Sequence, residues 1–148
     1  MRVLITGSRS WADYDFIEKA LAEFGLENQN DNSKPILVSG NCPAGADLYC
    51  EMAAKKLGWE VELYPANWGK FGKSAGFLRN KEMVDTKPDI CIGFIHNNSK
   101  GGSMTVRLAR EAGVPTIAYK LDDKDLSGGV KRIDYRESAE SFGDSALW

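Results

Sequence analysis

Three apolar segments of this chain each end in a turn of small residues, and a helical pattern begins within or just after each turn. The segments are residues 2–6, 36–38 and 89–95, and their turns are Gly7 to Arg9, Ser39 to Asp47 and Lys100 to Ser103. Strands that alternate with helices favour right-handed βαβ crossovers, which build a parallel sheet covered on both faces. With two further apolar runs at 60–64 and 116–120, we predict an α/β fold with a mainly parallel five-stranded sheet.

The elements between the strands follow from capping residues and apolar stripes. A helix is expected over residues 75–86, and another from Ser103 or its neighbour to Ala112. The aromatic, glycine-rich and basic segment 65–76 is predicted to be a loop that makes contacts. We expect one domain over residues 1–121, followed by a polar tail over 122–148 with a short helix at 136–142.

Composition excludes several classes of protein. The 148 residues carry 19 Lys and Arg against 21 Asp and Glu, a net charge of -2, whereas proteins held to nucleic acid by bulk electrostatics are usually basic. No apolar run has membrane-spanning length and the first residues form a strand rather than a signal peptide, so we expect a cytoplasmic protein without membrane contact. The three cysteines lack C-x-x-C spacing, which indicates neither disulfides nor a metal site. No cofactor is expected.

The small-residue turns indicate where a ligand lies. In parallel sheets the ligand crevice lies beyond the carboxyl ends of the strands, where helix N-termini present free N–H groups to anions. None of the three turns is a G-x-G-x-x-G or Walker sequence, which disfavours a dinucleotide-dependent dehydrogenase and a P-loop NTPase.

Each candidate residue has a structural alternative. Gly40 and Gly45 serve either a tight turn or the close approach of backbone to a ligand. Asp47 either caps its helix or contacts a ligand hydroxyl, and the guanidinium of Arg9 suits a phosphate. The rings of Trp11 and Trp68 are either core aromatics or base-stacking groups. The single histidine, His96, is not adopted as a catalytic base.

Four motifs in this order resemble the SLOG superfamily, which includes the DNA-processing Smf/DprA proteins and the LOG family, and most of all its YspA-like branch. They are Thr-Gly-Ser-Arg at 6–9, Ser-Gly-x5-Gly-Ala-Asp at 39–47, Phe-Leu-Arg-Asn-x-x-Met at 77–83 and Gly-Gly-Ser-x-Thr at 101–105. The resemblance covers residues 2–120. It implies a Rossmann-like fold and a site for a nucleotide or a nucleotide-derived ligand.

The resemblance is uneven at the residues that carry LOG chemistry. Arg79 stands where LOG phosphoribohydrolases keep an arginine that helps to cleave the N-glycosidic bond of a nucleotide, although a surface ion pair with Glu82 is the alternative. In the Pro-Gly-Gly-x-Gly-Thr-x-x-Glu motif, the glycine after the variable position becomes Met104 and the catalytic glutamate becomes Leu108. Loss of that carboxylate removes a central part of the mechanism.

We therefore expect a domain that binds, senses or sequesters a nucleotide-derived molecule without efficient turnover, and that forms a homodimer or a larger homo-oligomer. The alternatives are a LOG-like nucleoside-monophosphate phosphoribohydrolase or nucleosidase, and a DprA-like DNA-associated module, which the acidic balance disfavours. The predicted ligand-binding residues are Gly7, Ser8, Arg9, Trp11, Ser39, Gly40, Gly45, Ala46, Asp47, Arg79, Asn80, Gly101, Gly102, Ser103 and Thr105. No catalytic residue is assigned, and Arg79 is the candidate if the protein is an enzyme.

Overall fold

A computed structural model describes residues 1–28 and 33–136 of the chain. Its strands are β1 (Arg2–Gly7), β2 (Ile36–Ser39), β3 (Glu60–Leu63), β4 (Ile90–His96), β5 (Thr116–Leu121) and β6 (Lys131–Asp134). Its helices are α1 (Tyr14–Glu27), α2 (Ala46–Lys56), α3 (Trp68–Phe71), α4 (Ala75–Asp85) and α5 (Lys100–Glu111), with a 3-10 turn at Gly72–Ser74 between α3 and α4.

The strands form one sheet in the order β3-β2-β1-β4-β5-β6. The first five strands run parallel, and β6 pairs antiparallel with β5. At the centre, Leu4 of β1 lies opposite Val38 of β2 and Cys91 of β4. The α/β class and the mainly parallel, Rossmann-like sheet are confirmed, with six strands where five were expected.

The two faces of the sheet bury separate apolar clusters because successive side chains of a strand point to opposite faces. Val3 and Ile5 of β1 pack in the cluster that also holds the buried residues of α1 and α2. Leu4 packs on the other face against Met83 and Val84 of α4. The helices therefore cover both faces of the sheet, and only its strand ends remain open to a ligand.

Part of the expected polar tail completes the sheet. β6 extends the edge of β5, and the backbone N–H of Tyr135 donates to the carbonyl of Thr116 at 2.7 Å. The Tyr135 side chain is buried, and the guanidinium of Arg110 lies 3.7 Å from its ring centre. The helix expected at 136–142 lies almost entirely outside the described residues.

Two other elements differ from expectation near the strand ends. The predicted loop over 65–76 contains α3 and the 3-10 turn, and the Asn67 side chain caps α3 by accepting from the backbone N–H of Lys70. Helix α5 begins at Lys100, three residues before Ser103. Asn97 and Asn98 adopt positive φ angles, which asparagine tolerates, and turn the chain directly from β4 into α5.

Within the described part of the chain, no helix is long and apolar enough to cross a bilayer.

Candidate functional site

A pocket of about 450 Å³ lies at the carboxyl ends of the central strands. Its lining includes residues from the end of β1 and the turn after it (Gly7, Ser8 and Arg9). It also includes residues after β2 (Cys42 and Asp47) and after β4 (Ser99, Gly101 and Gly102). Trp68, Phe77, Arg79 and Asn80 close it from α3 and α4. The three small-residue turns of the sequence thus meet at one edge of the sheet, as parallel strands require.

Glycines at positions 7 and 102 let four elements pack closely beside the pocket. A Cβ at this position would lie 2.4 Å from the carbonyl oxygen of Phe94 and 2.5 Å from the Cβ of Ala46. At Gly102 a Cβ would lie 3.1 Å from the Cα of Gly7. The ends of β1 and β4 and the starts of α2 and α5 therefore pack without intervening side chains.

One helix, α5, begins at this pocket without a side-chain cap, because Ser99, which precedes it, supplies no side-chain hydrogen bond to its first turn. The start of α2 is closed instead, since the backbone N–H of Ala46 donates to the carbonyl of Ser8 at 3.0 Å. Gly101 and Gly102 form the first turn of α5 and line the pocket. Because the first N–H groups of a helix have no intrahelical acceptors and carry the positive end of its dipole, this region of the pocket suits an anion.

Arg79 places a half-buried guanidinium on the same pocket. Its Nε donates to Oδ1 of Asn80 at 2.7 Å, and its Nη1 donates to the carbonyl of Gly40. Nη2 lies 3.9 Å from Sγ of Cys42. These contacts hold the guanidinium in place, and with five N–H donors it retains hydrogens for an anionic ligand.

Asp47 contributes a buried carboxylate to a pocket that is otherwise cationic. Its side chain accepts the backbone N–H of Cys42 at 3.1 Å. Burial raises the pKa of the Asp47 carboxyl above its ordinary value, against the opposing effect of the Cys42 hydrogen bonds and of Arg79 and Arg9. Burial also raises the pKa of the Cys42 thiol, and the nearby Asp47 raises it further. Cys42 is therefore held as a neutral thiol rather than as a reactive thiolate.

Two aromatic rings form the outer wall of the pocket. Trp68 is 52% exposed and Phe77 is 45% exposed, high fractions for large apolar side chains. A Cβ at Gly76 would lie 3.4 Å from the Trp68 ring, so the glycine lets the indole lie close to the start of α4. Base stacking was one of the two interpretations of the Trp68 ring, and Phe77 was identified only within the 77–83 motif, because the local sequence does not indicate which aromatic rings line a pocket.

Eight of the predicted binding residues line the pocket; they are Gly7, Ser8, Arg9, Asp47, Arg79, Asn80, Gly101 and Gly102. Ligand contact by these residues remains a prediction. Gly40 lines a smaller neighbouring cavity of about 110 Å³ that also contacts Arg9, Cys42, Trp68 and Arg79. Gly45 packs on the backbone of Ser8 and Arg9 and has a φ of +71°, and both features explain why glycine occupies this position.

The other predicted residues lie behind the pocket wall. Trp11 and Ala46 belong to the apolar core, and the Trp11 ring lies 5.6 Å from that of Phe94. The Ser39 hydroxyl donates to the buried Glu51 carboxylate at 2.7 Å. Thr105 is fully buried and its hydroxyl donates to the carbonyl of Gly101 at 3.2 Å. The Ser103 hydroxyl is buried, and among the described residues it has no hydrogen-bond partner.

Residue 108, which aligns with the catalytic glutamate of the LOG motif, packs against the core. Leu108 packs against the apolar cluster that contains Met83 and Val84. Met104, one turn earlier on α5, lines the pocket where the LOG motif has a glycine. The described residues contain no group of three or more His, Cys, Asp or Glu side chains that could hold a metal ion.

Comparisons with known proteins agree with this architecture. The family model described as "YspA, cpYpsA-related SLOG family" matches residues 1–71. The Gene 61 protein of Mycobacterium phage D29 is 37% identical over 122 residues, which cover 80% of this chain and 95% of that protein. No solved structure matches the chain. The chain belongs to the YspA, cpYpsA-related SLOG family.

Proposed function

We propose that this domain binds a nucleotide-derived small molecule in the 450 Å³ pocket and holds it without efficient cleavage of its N-glycosidic bond. Membership of the SLOG family indicates a nucleotide-related Rossmann-like module. The observation that carries the proposal is the meeting of Arg9, Arg79 and the glycine first turn of α5 on one pocket. Two guanidinium groups and free backbone N–H groups match the geometry and charge of a phosphate.

The remaining pocket wall suits the other parts of a nucleotide. The Asp47 carboxyl oxygens accept hydrogen bonds, which suits a ribose hydroxyl. The exposed rings of Trp68 and Phe77 offer flat apolar surfaces to a base. A volume of about 450 Å³ lies within the usual range for small-molecule sites, about 300–1,000 Å³.

Position 108 argues against LOG-type turnover. In this chain the side chain at that position is a leucine packed into the core, so it presents no acid to a ribose. A leucine cannot balance the charge of an oxocarbenium-like transition state, and loss of one positioned acid–base group removes about 10²–10⁴-fold of rate. Binding therefore accounts for the parts of the LOG motif that this chain retains better than catalysis does.

Titration calorimetry with AMP, GMP, CMP and UMP tests the proposal. We expect at least one of them to bind, and Arg79→Ala to weaken binding by about 1.5–3 kcal/mol, the range for hydrogen bonds to charged groups, which is roughly 10- to 150-fold. Arg79→Lys restores only part of the affinity because it lacks the planar fork.

The matched control is Lys81→Ala, on the same helix but paired with Asp85 at the surface. It should leave the affinity unchanged, and thermal melting of every variant separates loss of binding from loss of folding. An Arg79→Ala protein that melts normally and binds with the parent's affinity would remove Arg79 from the site. A parent protein that binds none of the four nucleotides would contradict the proposal for nucleoside monophosphates.

A further inference from the structure

Three side chains, of which Ser10 lines the pocket, form one continuous hydrogen-bonded chain. The hydroxyl of Ser10 lies 2.7 Å from Nδ1 of His96, and Nε2 of His96 lies 2.9 Å from Oδ1 of Asp123. Ser10 follows β1, His96 ends β4 and Asp123 follows β5, three neighbouring strands of the sheet. The topology therefore brings together residues that are up to 113 positions apart (123 − 10) in the sequence.

The hydrogen bonds determine which ring nitrogen carries the proton. Bonding to His96 and Asn97 lowers the pKa of the Asp123 carboxyl, so this group is ionised at neutral pH and only accepts. Nε2 of a neutral His96 therefore carries the hydrogen, and Nδ1 presents its lone pair to the Ser10 hydroxyl. This is the arrangement of a Ser-His-Asp triad with the roles of the two ring nitrogens exchanged.

Neighbouring residues hold the histidine and the aspartate in place. The backbone N–H of His96 donates to the Ser8 hydroxyl at 2.8 Å. Asn97 bonds Asp123 twice, since its Oδ1 accepts the backbone N–H of Asp123 at 2.9 Å and its Nδ2 donates to Oδ2 at 3.1 Å. The imidazole is thus fixed from both sides, as a general base must be before it can act on a nearby hydroxyl.

Ser10 shares the pocket with a source of oxyanion stabilisation. Ser10, Gly101 and Gly102 line the same cavity, and the first turn of α5 receives no side-chain cap. The backbone N–H groups of this turn are therefore the donors on the pocket that could stabilise charge on a carbonyl oxygen under attack.

We propose that Ser10, His96 and Asp123 form a hydrolytic site that cleaves a carboxylic ester presented to Ser10 in the pocket. His96 Nδ1 accepts the Ser10 proton as Oγ bonds to the carbonyl carbon, and it returns that proton to the alcohol as the ester C–O bond breaks. A water molecule then gives a proton to Nδ1 as its oxygen bonds to the acyl carbon. The acyl C–Oγ bond breaks with release of the acid, and Nδ1 returns the proton to Oγ, which restores the Ser10 hydroxyl. The net reaction converts one ester and one water into an acid and an alcohol.

This activity differs chemically from the proposed nucleotide binding and from N-glycosidic cleavage. Its nucleophile, base and carboxylate are Ser10, His96 and Asp123, none of which is a proposed phosphate contact, although both proposals use the first turn of α5. An ester needs a nucleophile and an oxyanion site, which this arrangement contains, and does not need the carboxylate that position 108 lacks.

The full chain treated with diisopropyl fluorophosphate tests the nucleophile without any nucleotide. We expect one adduct, formed as the Ser10 Oγ–P bond replaces the P–F bond with release of HF, and located at Ser10 by peptide mass spectrometry. Ser10→Ala should abolish it. Ser127→Ala is the matched control, because the Ser127 hydroxyl is exposed and bonds to Asp125 rather than to a histidine.

Hydrolysis of p-nitrophenyl acetate tests His96 as the general base and Asp123 as the residue that positions it. His96→Gln should lower the Ser10-dependent rate about 10²–10⁴-fold. Asp123→Asn should lower it about tenfold or more, and Asp123→Glu, which keeps a carboxylate, should recover part of the loss. An adduct at another residue, no adduct at all, or a Ser10 labelling rate that is the same in folded His96→Gln protein would overturn the proposal. Release of p-nitrophenol that is independent of Ser10 would overturn it equally.

Discussion

Asp47 occupies a position where two physical effects on a carboxylate oppose each other. It lies in the first turn of α2, where the helix dipole favours a negative charge. Its side chain is nevertheless buried, and the loss of solvation outweighs the favourable contacts, so its pKa is raised. Burial also raises the pKa of Glu51 one turn later, with Asp47 adding to the effect. A charge that is costly to bury indicates a role other than stability.

Asp47→Asn should make the protein more stable at neutral pH. Because the folded pKa of Asp47 lies above its ordinary value of 3.8, the native state binds more protons between those two values, and its stability falls as the pH rises through them. The substitution removes this loss of stability with rising pH, and the amide oxygen of the asparagine can still accept the backbone N–H of Cys42. Urea unfolding should show an advantage for the variant at pH 7 that shrinks as the pH falls towards 3.8.

Asp125→Asn provides a control of opposite sign. Hydrogen bonds from Lys131 and Ser127 lower the pKa of Asp125 to about 2, so its ionised form stabilises the folded state at neutral pH. That variant should be less stable than the parent at pH 7. If Asp47→Asn is also less stable than the parent at pH 7, the raised pKa of Asp47 does not govern its contribution to stability.

Among the single elements, α5 has two glycines in its first turn, Gly101 and Gly102, and only one of them is required by packing. A Cβ at Gly102 would lie 2.6 Å from Cδ1 of Ile95 and 3.1 Å from the Cα of Gly7, so packing requires this glycine. A Cβ at Gly101 would meet nothing within 4 Å. Gly101 is exposed, has no packing requirement and lines the pocket, so we propose that close approach to a ligand is the reason for this glycine.

Gly101→Ala should therefore separate stability from binding. Alanine in a helix is more favourable than glycine by roughly 0.5–1 kcal/mol, so the variant should fold at least as well as the parent. Its methyl group would enter the pocket and should weaken the nucleotide binding measured by calorimetry. Glu111→Ala, at the far end of the same helix, should leave binding unchanged. Unchanged affinity in Gly101→Ala would mean that the ligand does not approach the first turn of α5.

The elements that the sequence predicted best are those with a strong local signal. The first five strands are rich in apolar or β-branched residues, and each was predicted within a residue or two of its observed ends. β6 has the sequence Lys-Arg-Ile-Asp, which is typical of a charged edge strand and carries little apolar content to reveal it. The start of α5 was placed late because two glycines indicate a loop, whereas Asn97 and Asn98 complete the turn before them.

At the scale of the whole molecule, local signals explain which part of the site was predictable. Gly7, Ser8, Arg9, Asp47, Gly101 and Gly102 line one pocket, since parallel topology alone brings those strand ends together. Trp11 lies in the core, which was one of the two interpretations of its ring, and its contact with Phe94 is nonlocal. The Ser10–His96–Asp123 chain joins the ends of three separate strands, and no spacing along the sequence indicates it.

The charge of the whole chain and the charge of its pocket also differ. The net charge is -2, yet Arg9 and Arg79 face the pocket against the single carboxyl of Asp47. The charge of the pocket therefore supports the proposal of a small anionic ligand, whereas the overall charge does not favour nucleic acid.

Equilibrium dialysis of the full chain against AMP, GMP, CMP and UMP, with both chambers analysed by chromatography, tests whether the protein binds a nucleoside monophosphate and leaves it intact. It measures binding and base release in the same sample at stoichiometric protein. We expect at least one monophosphate to be enriched in the protein chamber and to be recovered intact after long incubation. It should no longer be enriched with the Arg79→Ala protein. Enrichment of none of the four, or free base that appears with the parent and not with Arg79→Ala, would contradict this expectation.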